Sequence, residues 1–161
     1  MTSYQLAQIN VARLKAPIDA PETADFAGAL DRINALAESS PGFVWRLKGD
    51  GSDATDLVAF DDPTIITNMS VWESPAALGA FVYRSGHSEI MRRRAEWFHV
   101  MEVFVALWWV PAGHEPTLAE GVEKLVLLER DGPTPDAFTF REPHPAPDAT
   151  TSPLPILDKC A

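Results

Sequence analysis

Residues 83–98 read YRSGHSEIMRRRAEWF, and they hold the residue types best suited to proton chemistry in this chain. His87 follows Gly86 and opens a helical piece running to about Met101. At a period of 3.6 it shares a stripe with Met91, Arg94 and Phe98. An imidazole titrating near pH 6.5 is matched to taking a proton at neutral pH, and a helix N-terminus disfavours its cation. A structural use stands beside this one, in which His87 closes the joint between two helices through backbone hydrogen bonds. Arg94, on the same stripe, is placed to steady an anionic substrate or to pair with a buried carboxylate. Arg92 and Arg93 point elsewhere, because helical neighbours lie about 100° apart. The spacings Glu89–Arg93 and Arg92–Glu96 pair them on a solvated face.

A base needs a pocket. Asn10, Asn68, Ser70 and Trp72 each lie on a strand face that mixes polar and apolar residues. A face covered by helices should be uniformly apolar, so amides there point to a cavity with a few oriented polar groups. The competing account turns that face to solvent or to a second copy. Trp72 and Trp108 are read as the pocket wall. Met91 lies on the His87 stripe, and Tyr83 is weighed as a substrate contact against a place in the core.

The elements that must position these residues follow from periodicity. YQLAQINVARL alternates as a strand, with Ala7, Ile9 and Val11 on one face and Leu6, Gln8 and Asn10 on the other. Phe26, Leu30, Ile33 and Ala37 fall at helical spacing, and Pro41-Gly42 stops that helix. FVWRLK and TIITNMSVW read as strands, separated by a turn-rich loop, GDGSDATD. Ser74 before Pro75 starts a helix that buries Leu78, Phe81 and Val82 and breaks near Gly86. VFVALWWV is a fourth strand, apolar on both faces. Thr117 and Glu120 form a capping box opening a last helix, with Leu118, Val122 and Leu125 on one side, ended by Asp131-Gly132-Pro133. The order β-α-β-β-α-β predicts an α+β, ferredoxin-like domain over residues 1–142, an antiparallel four-stranded sheet with helices on one face. The apolar second face then calls for a second copy, hence a homodimer with sheets face to face. From Pro143 onward five prolines fall within nineteen residues, so 143–161 reads as an extended or disordered tail.

Composition narrows the function classes. Thirteen basic against twenty-three acidic residues give a net charge of −10, which argues against nucleic acid and against an anionic membrane surface. No run approaches the roughly 20 apolar residues of a membrane span, and no signal peptide is evident. The single cysteine, Cys160, makes no internal disulfide, so a cytoplasmic location is the default. Pro116 after His114-Glu115 blocks a zinc-binding helix motif. Phosphate loops, dinucleotide fingerprints and nucleophile elbows are absent.

SVWES, FVYRSGH, MRRRAEWF and LWWVPAGHEPT together resemble an uncharacterised bacterial domain-of-unknown-function family of the dimeric α+β barrel superfamily. That superfamily also holds antibiotic-biosynthesis monooxygenases and haem-degrading proteins. The resemblance spans roughly Tyr4 to Arg141. It implies a site in a cleft between sheet and helices. In the haem-degrading branch, Asn10 and Trp72 match two of three site positions. The axial ligand's place falls near Met91, and His87 lies one turn of about 5.4 Å earlier, so the resemblance does not carry haem to this chain. The first reading is a cofactor-independent, monooxygenase-like enzyme acting on a hydrophobic, acidifiable phenol or enol, with His87 as base. In it Asn10, Asn68 and Ser70 hold the developing oxyanion. A cyclase or isomerase using the same base, a haem-binding protein, and a non-catalytic dimeric binding module stand beside it.

Overall fold

The computed structural model describes residues 3–49, 62, 64–85, 87–100 and 104–148. Residues 50–61 of the turn-rich loop, Gly86, Met101, Val103, and the tail from 149 including Cys160 lie outside them. Strand β1 (Tyr4–Leu14) is the centre of an antiparallel five-stranded sheet. On one side it pairs with β3 (Ile65–Trp72), which pairs in turn with the edge strand β2 (Phe43–Arg46). Its other side is shared. β5 (Val105–Pro111) pairs along Tyr4–Asn10, and the short β4 (Phe98–His99) pairs at Arg13 and Leu14.

Five helices accompany the described strands: α1 (Ala24–Ser39), α2 (Pro75–Arg84), α3 (His87–Arg92), α4 (Arg94–Trp97) and α5 (Leu118–Asp131). Ser74 caps α2 as expected, its hydroxyl accepting from the Ala77 N–H at 3.1 Å with proline at the first helical position. The helical piece after His87 departs from the expected single run. It breaks at Arg93, ends at Trp97, and turns into β4. The break redirects the arginines. Arg93 bonds Glu96 and, across the fold, Asp25 of α1, each at 2.9 Å, and its guanidinium lies 4.7 Å from the Trp97 ring centre. The expected Glu89–Arg93 and Arg92–Glu96 pairs are replaced by this tie between α4 and α1.

Both sheet faces are closed, by different helices. α1 and α2 cover the face carrying Leu6, Trp72 and Leu107 at one end and Leu14 at the other. α5 covers the opposite face, where Leu125 and Leu128 pack on Ala7, Ile9, Val71, Ala106 and Trp108. The expectation of helices on one face alone is therefore corrected. The apolar second face that called for a second copy is taken up by the chain's own last helix. Proximity sets this contact: a Cβ on Gly121 would stand 2.7 Å from Met69 Sδ and 2.8 Å from Ile9 Cδ1, so only glycine lets α5 settle so close. After α5 the chain returns to the outer edge of β5. Phe138 exchanges two backbone hydrogen bonds of 2.8 Å with Leu107, and the Trp109 indole donates to the His144 carbonyl at 2.9 Å. Within the described residues the start of the proline-rich segment is thus laid on the chain's own sheet edge. Among these residues no helix is long and apolar enough to cross a membrane.

Glu120 latches the start of α5. Thr117 caps the helix by accepting from the Glu120 N–H at 3.1 Å, but the Glu120 carboxylate does not close a box. It accepts instead from the Trp108 indole at 3.1 Å and from His114 Nε2 at 2.8 Å. Partial burial pushes the Glu120 pKa up, and the hydrogen bonds from His114 and Trp108 outweigh it, leaving the group below its ordinary value. A depressed carboxyl stabilises the fold above its unfolded pKa and loses that contribution as pH falls through its folded value. Glu120→Gln should therefore lower the melting temperature at pH 7, with the gap to wild type closing below about pH 4; a gap independent of pH contradicts the latch. Gly121→Ala should cost about 1–3 kcal/mol in a denaturant titration, because Ile9 and Met69 are sealed and cannot swing away. A neutral result would mean α5 packs less closely than described.

Candidate functional site

On the face beneath α1 and α2 the core is interrupted. Between the apolar cluster around Trp72 and the one around Leu14 runs a polar strip contributed by alternate residues of β1 and β3. Register explains the juxtaposition: Gln8 stands opposite Ser70 and Asn10 opposite Asn68, so all four side chains share one face. Gln8 is the hub. Its Nε2 donates to Asn68 Oδ1 and to Ser70 Oγ, both at 2.8 Å, and its Oε1 accepts from Asn10 Nδ2 at 3.3 Å. Ser70 Oγ also accepts from the Trp72 indole at 2.9 Å. A sealed indole and a sealed amide both require partners, and one hydroxyl serves both. Having accepted twice, Ser70 keeps its own proton uncommitted. Asn68 is exposed on this otherwise covered face, so the strip opens to solvent there.

The sequence reading places Asn10, Asn68, Ser70 and Trp72 together, and the structure brings all four into one hydrogen-bonded network. It misses Gln8, which lies on the same alternating face as Asn10. It also misses Arg46, which stands opposite Ser70 in the β2–β3 register. The Arg46 side chain is only 8% exposed, and its Nε donates to Glu38 of α1 at 2.6 Å. That bond, the largest of several effects, holds the Glu38 carboxyl below its ordinary range. An open hollow of about 530 Å³ lies along this sheet edge, lined by Glu38 and residues 43–48.

His87 starts α3 beside this strip without touching the amides. Its ring centre lies 4.9 Å from that of Phe81, which stacks on Trp72 at 5.1 Å. One aromatic ring, Phe81, therefore links the imidazole to the indole that Ser70 holds. Nδ1 lies 3.4 Å from the Val82 carbonyl; a carbonyl only accepts, so this contact places the proton on Nδ1 and leaves Nε2 as the basic nitrogen. Desolvation pushes the His87 pKa down, with the Val82 carbonyl acting the other way. The side chain is held neutral near pH 7, as a base requires.

Other expected site residues lie elsewhere. Trp108 is on the opposite face: it pairs with Ala7 and packs under α5, whereas Trp72 pairs with Leu6. The expected Trp72–Trp108 wall is corrected. Trp109 is the tryptophan of β5 on the Trp72 side, and Phe43 and Phe81 flank the Trp72 ring. Tyr83 packs against Phe140 of the returning segment, with ring centres 6.0 Å apart. Arg94 is exposed and donates to the Met91 carbonyl at 2.8 Å, and Met91 is half-buried one turn beyond His87. A haem held by Asn10, Trp72 and His87 does not fit this arrangement. Asn10 is bonded to Gln8, Trp72 is fully buried between Phe43 and Phe81, and Phe81 fills the space between Trp72 and His87.

Ser70→Ala tests the network. It strands the Trp72 indole N–H and one Gln8 N–H in a sealed environment, and should cost about 1–3 kcal/mol in a denaturant titration. A loss below about 0.5 kcal/mol would show that the polar strip does not hold these two groups.

A solved structure, of the NE2512 protein of unknown function from Nitrosomonas europaea, is similar to this chain at 18% identity and a TM-score of 0.43. The similarity covers 71% of this chain and 94% of that one. No curated protein matches the chain. Residues 5–154 match the family described as Domain of unknown function (DUF3291), and the chain belongs to that family.

Proposed function

We propose that this protein is a small-molecule enzyme of the dimeric α+β barrel type, acting without a cofactor on a hydrophobic, acidifiable compound. The strand order β2-β3-β1-β5 is that of a ferredoxin-like sheet and supports the superfamily placement. A homodimer in this reading forms through a surface other than the one α5 occupies. The cytoplasm is its default location, given a single cysteine.

The observation that carries the reading is the polar strip set into an apolar face, with a neutral histidine beside it. Apolar clusters flank the strip on either side, and where it opens at Asn68 it takes one polar head. In this reading His87 Nε2 takes the proton of the bound phenol or enol relayed by water, because Phe81 and Trp72 stand between the imidazole and the strip. The uncommitted Ser70 hydroxyl and the second Asn68 amide N–H then hold the oxyanion. The resulting carbanion reduces dioxygen. For 1-naphthol as a test compound the balance is one dioxygen consumed, one oxygen atom entering the ring to give 1,4-naphthoquinone, and the other leaving as water. All four electrons come from the substrate.

A second reading is favoured by the two rings between His87 and the amides: a binding module in which His87 only closes the α2–α3 joint. Dioxygen uptake with 1-naphthol separates the two. The enzyme reading expects uptake by the wild type and a loss of at least about 100-fold in His87→Ala. A base acts deprotonated, and this one is pushed below its ordinary value. kcat/KM should therefore hold its plateau below pH 6.5, falling only as the lowered pKa is crossed. Uptake undiminished in His87→Ala, or a fall beginning above pH 6.5, would remove His87 from the chemistry.

A further inference from the structure

Gln8 spends its polar groups inside the strip. Both N–H groups of its amide donate, one to Asn68 Oδ1 and one to Ser70 Oγ, and its Oε1 accepts from Asn10 Nδ2. The residue is buried, with 5% of its surface exposed. Turning the amide over would set Oε1 against Ser70 and Asn68 and leave Nε2 with Asn10 alone. One N–H would then lack an acceptor among the described residues, where an unpaired donor carries its full desolvation cost. The observed orientation is the one that strands no Gln8 donor.

That orientation dictates what the neighbours have left. Asn68 gives Oδ1 to Gln8, so its NH₂ group remains, on an exposed residue and with no acceptor among the described residues. Ser70 accepts from Gln8 and from the Trp72 indole, a donor that cannot reverse, and is left with its own proton. Both residues therefore offer donors because of what Gln8 takes from them. Asn10 donates to Gln8 at 3.3 Å and completes the set.

We infer that Gln8 is a positioning residue that sets the polarity of the strip: it makes donors of Asn68 and Ser70 and so selects a head group that accepts, a carbonyl or an oxyanion. This rests on the cleft reading above and adds to it the residue that holds both oxyanion donors in place. Gln8 itself touches no substrate and acts through its neighbours.

Gln8→Glu reverses that polarity at nearly constant shape. A carboxylate only accepts, so it keeps the Asn10 bond, draws in the Asn68 NH₂ and takes the Ser70 proton. Asn68 Oδ1 is then turned outward, and each bond to position 8 still has a partner. Two neutral probes read the change by isothermal titration of the full chain at pH 7: 2-acetylnaphthalene, which only accepts, and 2-naphthol, which also donates. Gln8→Glu should weaken 2-acetylnaphthalene at least about tenfold relative to 2-naphthol, the effect of losing its donors. A merely structural role for Gln8 would weaken both probes together.

Asn68→Asp decides the matter if Gln8→Glu fails to fold. It keeps the inner oxygen that accepts from Gln8 and replaces only the outward NH₂. The same loss of selectivity should follow, with the melting temperature held within about 2 °C. Unchanged relative binding in Gln8→Glu, an equal loss of both probes, or a larger fall in the melting temperature of Asn68→Asp overturns the inference. Those outcomes leave the cleft reading standing, whereas a wild type that binds neither probe at millimolar concentration overturns both.

Discussion

A single hydroxyl carries the arrangement on which the candidate site depends. Ser70 Oγ is the acceptor for two sealed donors from different strands, the Trp72 indole and the Gln8 amide. Without it, burying Trp72 would leave an indole N–H unpaired in the core, and the middle of β1 and β3 would lose its cross-strand tie. Because Trp72 is fixed, Phe81 can stack on it and Phe43 can meet its edge. Because Phe81 is fixed, His87 has a surface to pack on at the start of α3. Strand register, aromatic packing and the position of the histidine thus form one chain of dependence.

The polar strip can be afforded because the rest of β1 is sealed on both faces. Residues 6–9 are all buried, the odd ones beneath α5 and the even ones beneath α1 and α2. Of the buried residues on the α5 face only Thr67 is polar, and its hydroxyl has no partner among the described residues. The α1–α2 face is not. Two faces of one sheet therefore do different work: one supplies stability and the other hosts a hydrogen-bonded polar strip. Separating the two lets the site keep groups whose burial weakens the fold locally.

Much of the fold was legible because its signals are local. The alternation in β1, the Ser74-Pro75 start of α2 and the Thr117 cap of α5 each rest on contacts within a few residues. So did the choice of Asn10, Asn68, Ser70 and Trp72, since amides on a helix-covered strand stand out against an apolar background. What failed needed long-range information. Trp108 and Trp109 alternate correctly along β5, but only the registers Leu6–Trp72 and Leu6–Trp109 tell which one joins Trp72. The covering of the second face by α5 depends on where a helix lands after the last strand, which its own periodicity does not encode. Arg93 was misjudged because the helix breaks beneath it, and a stripe drawn through a break points the wrong way. Gln8 escaped notice because one amide on an alternating strand looks like an ordinary solvent-facing residue. Its role appears only when Ser70 is set opposite.

The central claim is that the polar strip receives a ligand and is more than a core defect satisfied by water. Side-chain amide resonances report on this directly. In a ¹H–¹⁵N spectrum, adding 1-naphthol should shift the Asn68 NH₂ pair, while the Gln8 pair, bonded to Asn68 and Ser70 within the protein, exchanges slowly with deuterium before and after. An unmoved Asn68 signal, or a Gln8 pair that exchanges as fast as an exposed amide, would contradict the account.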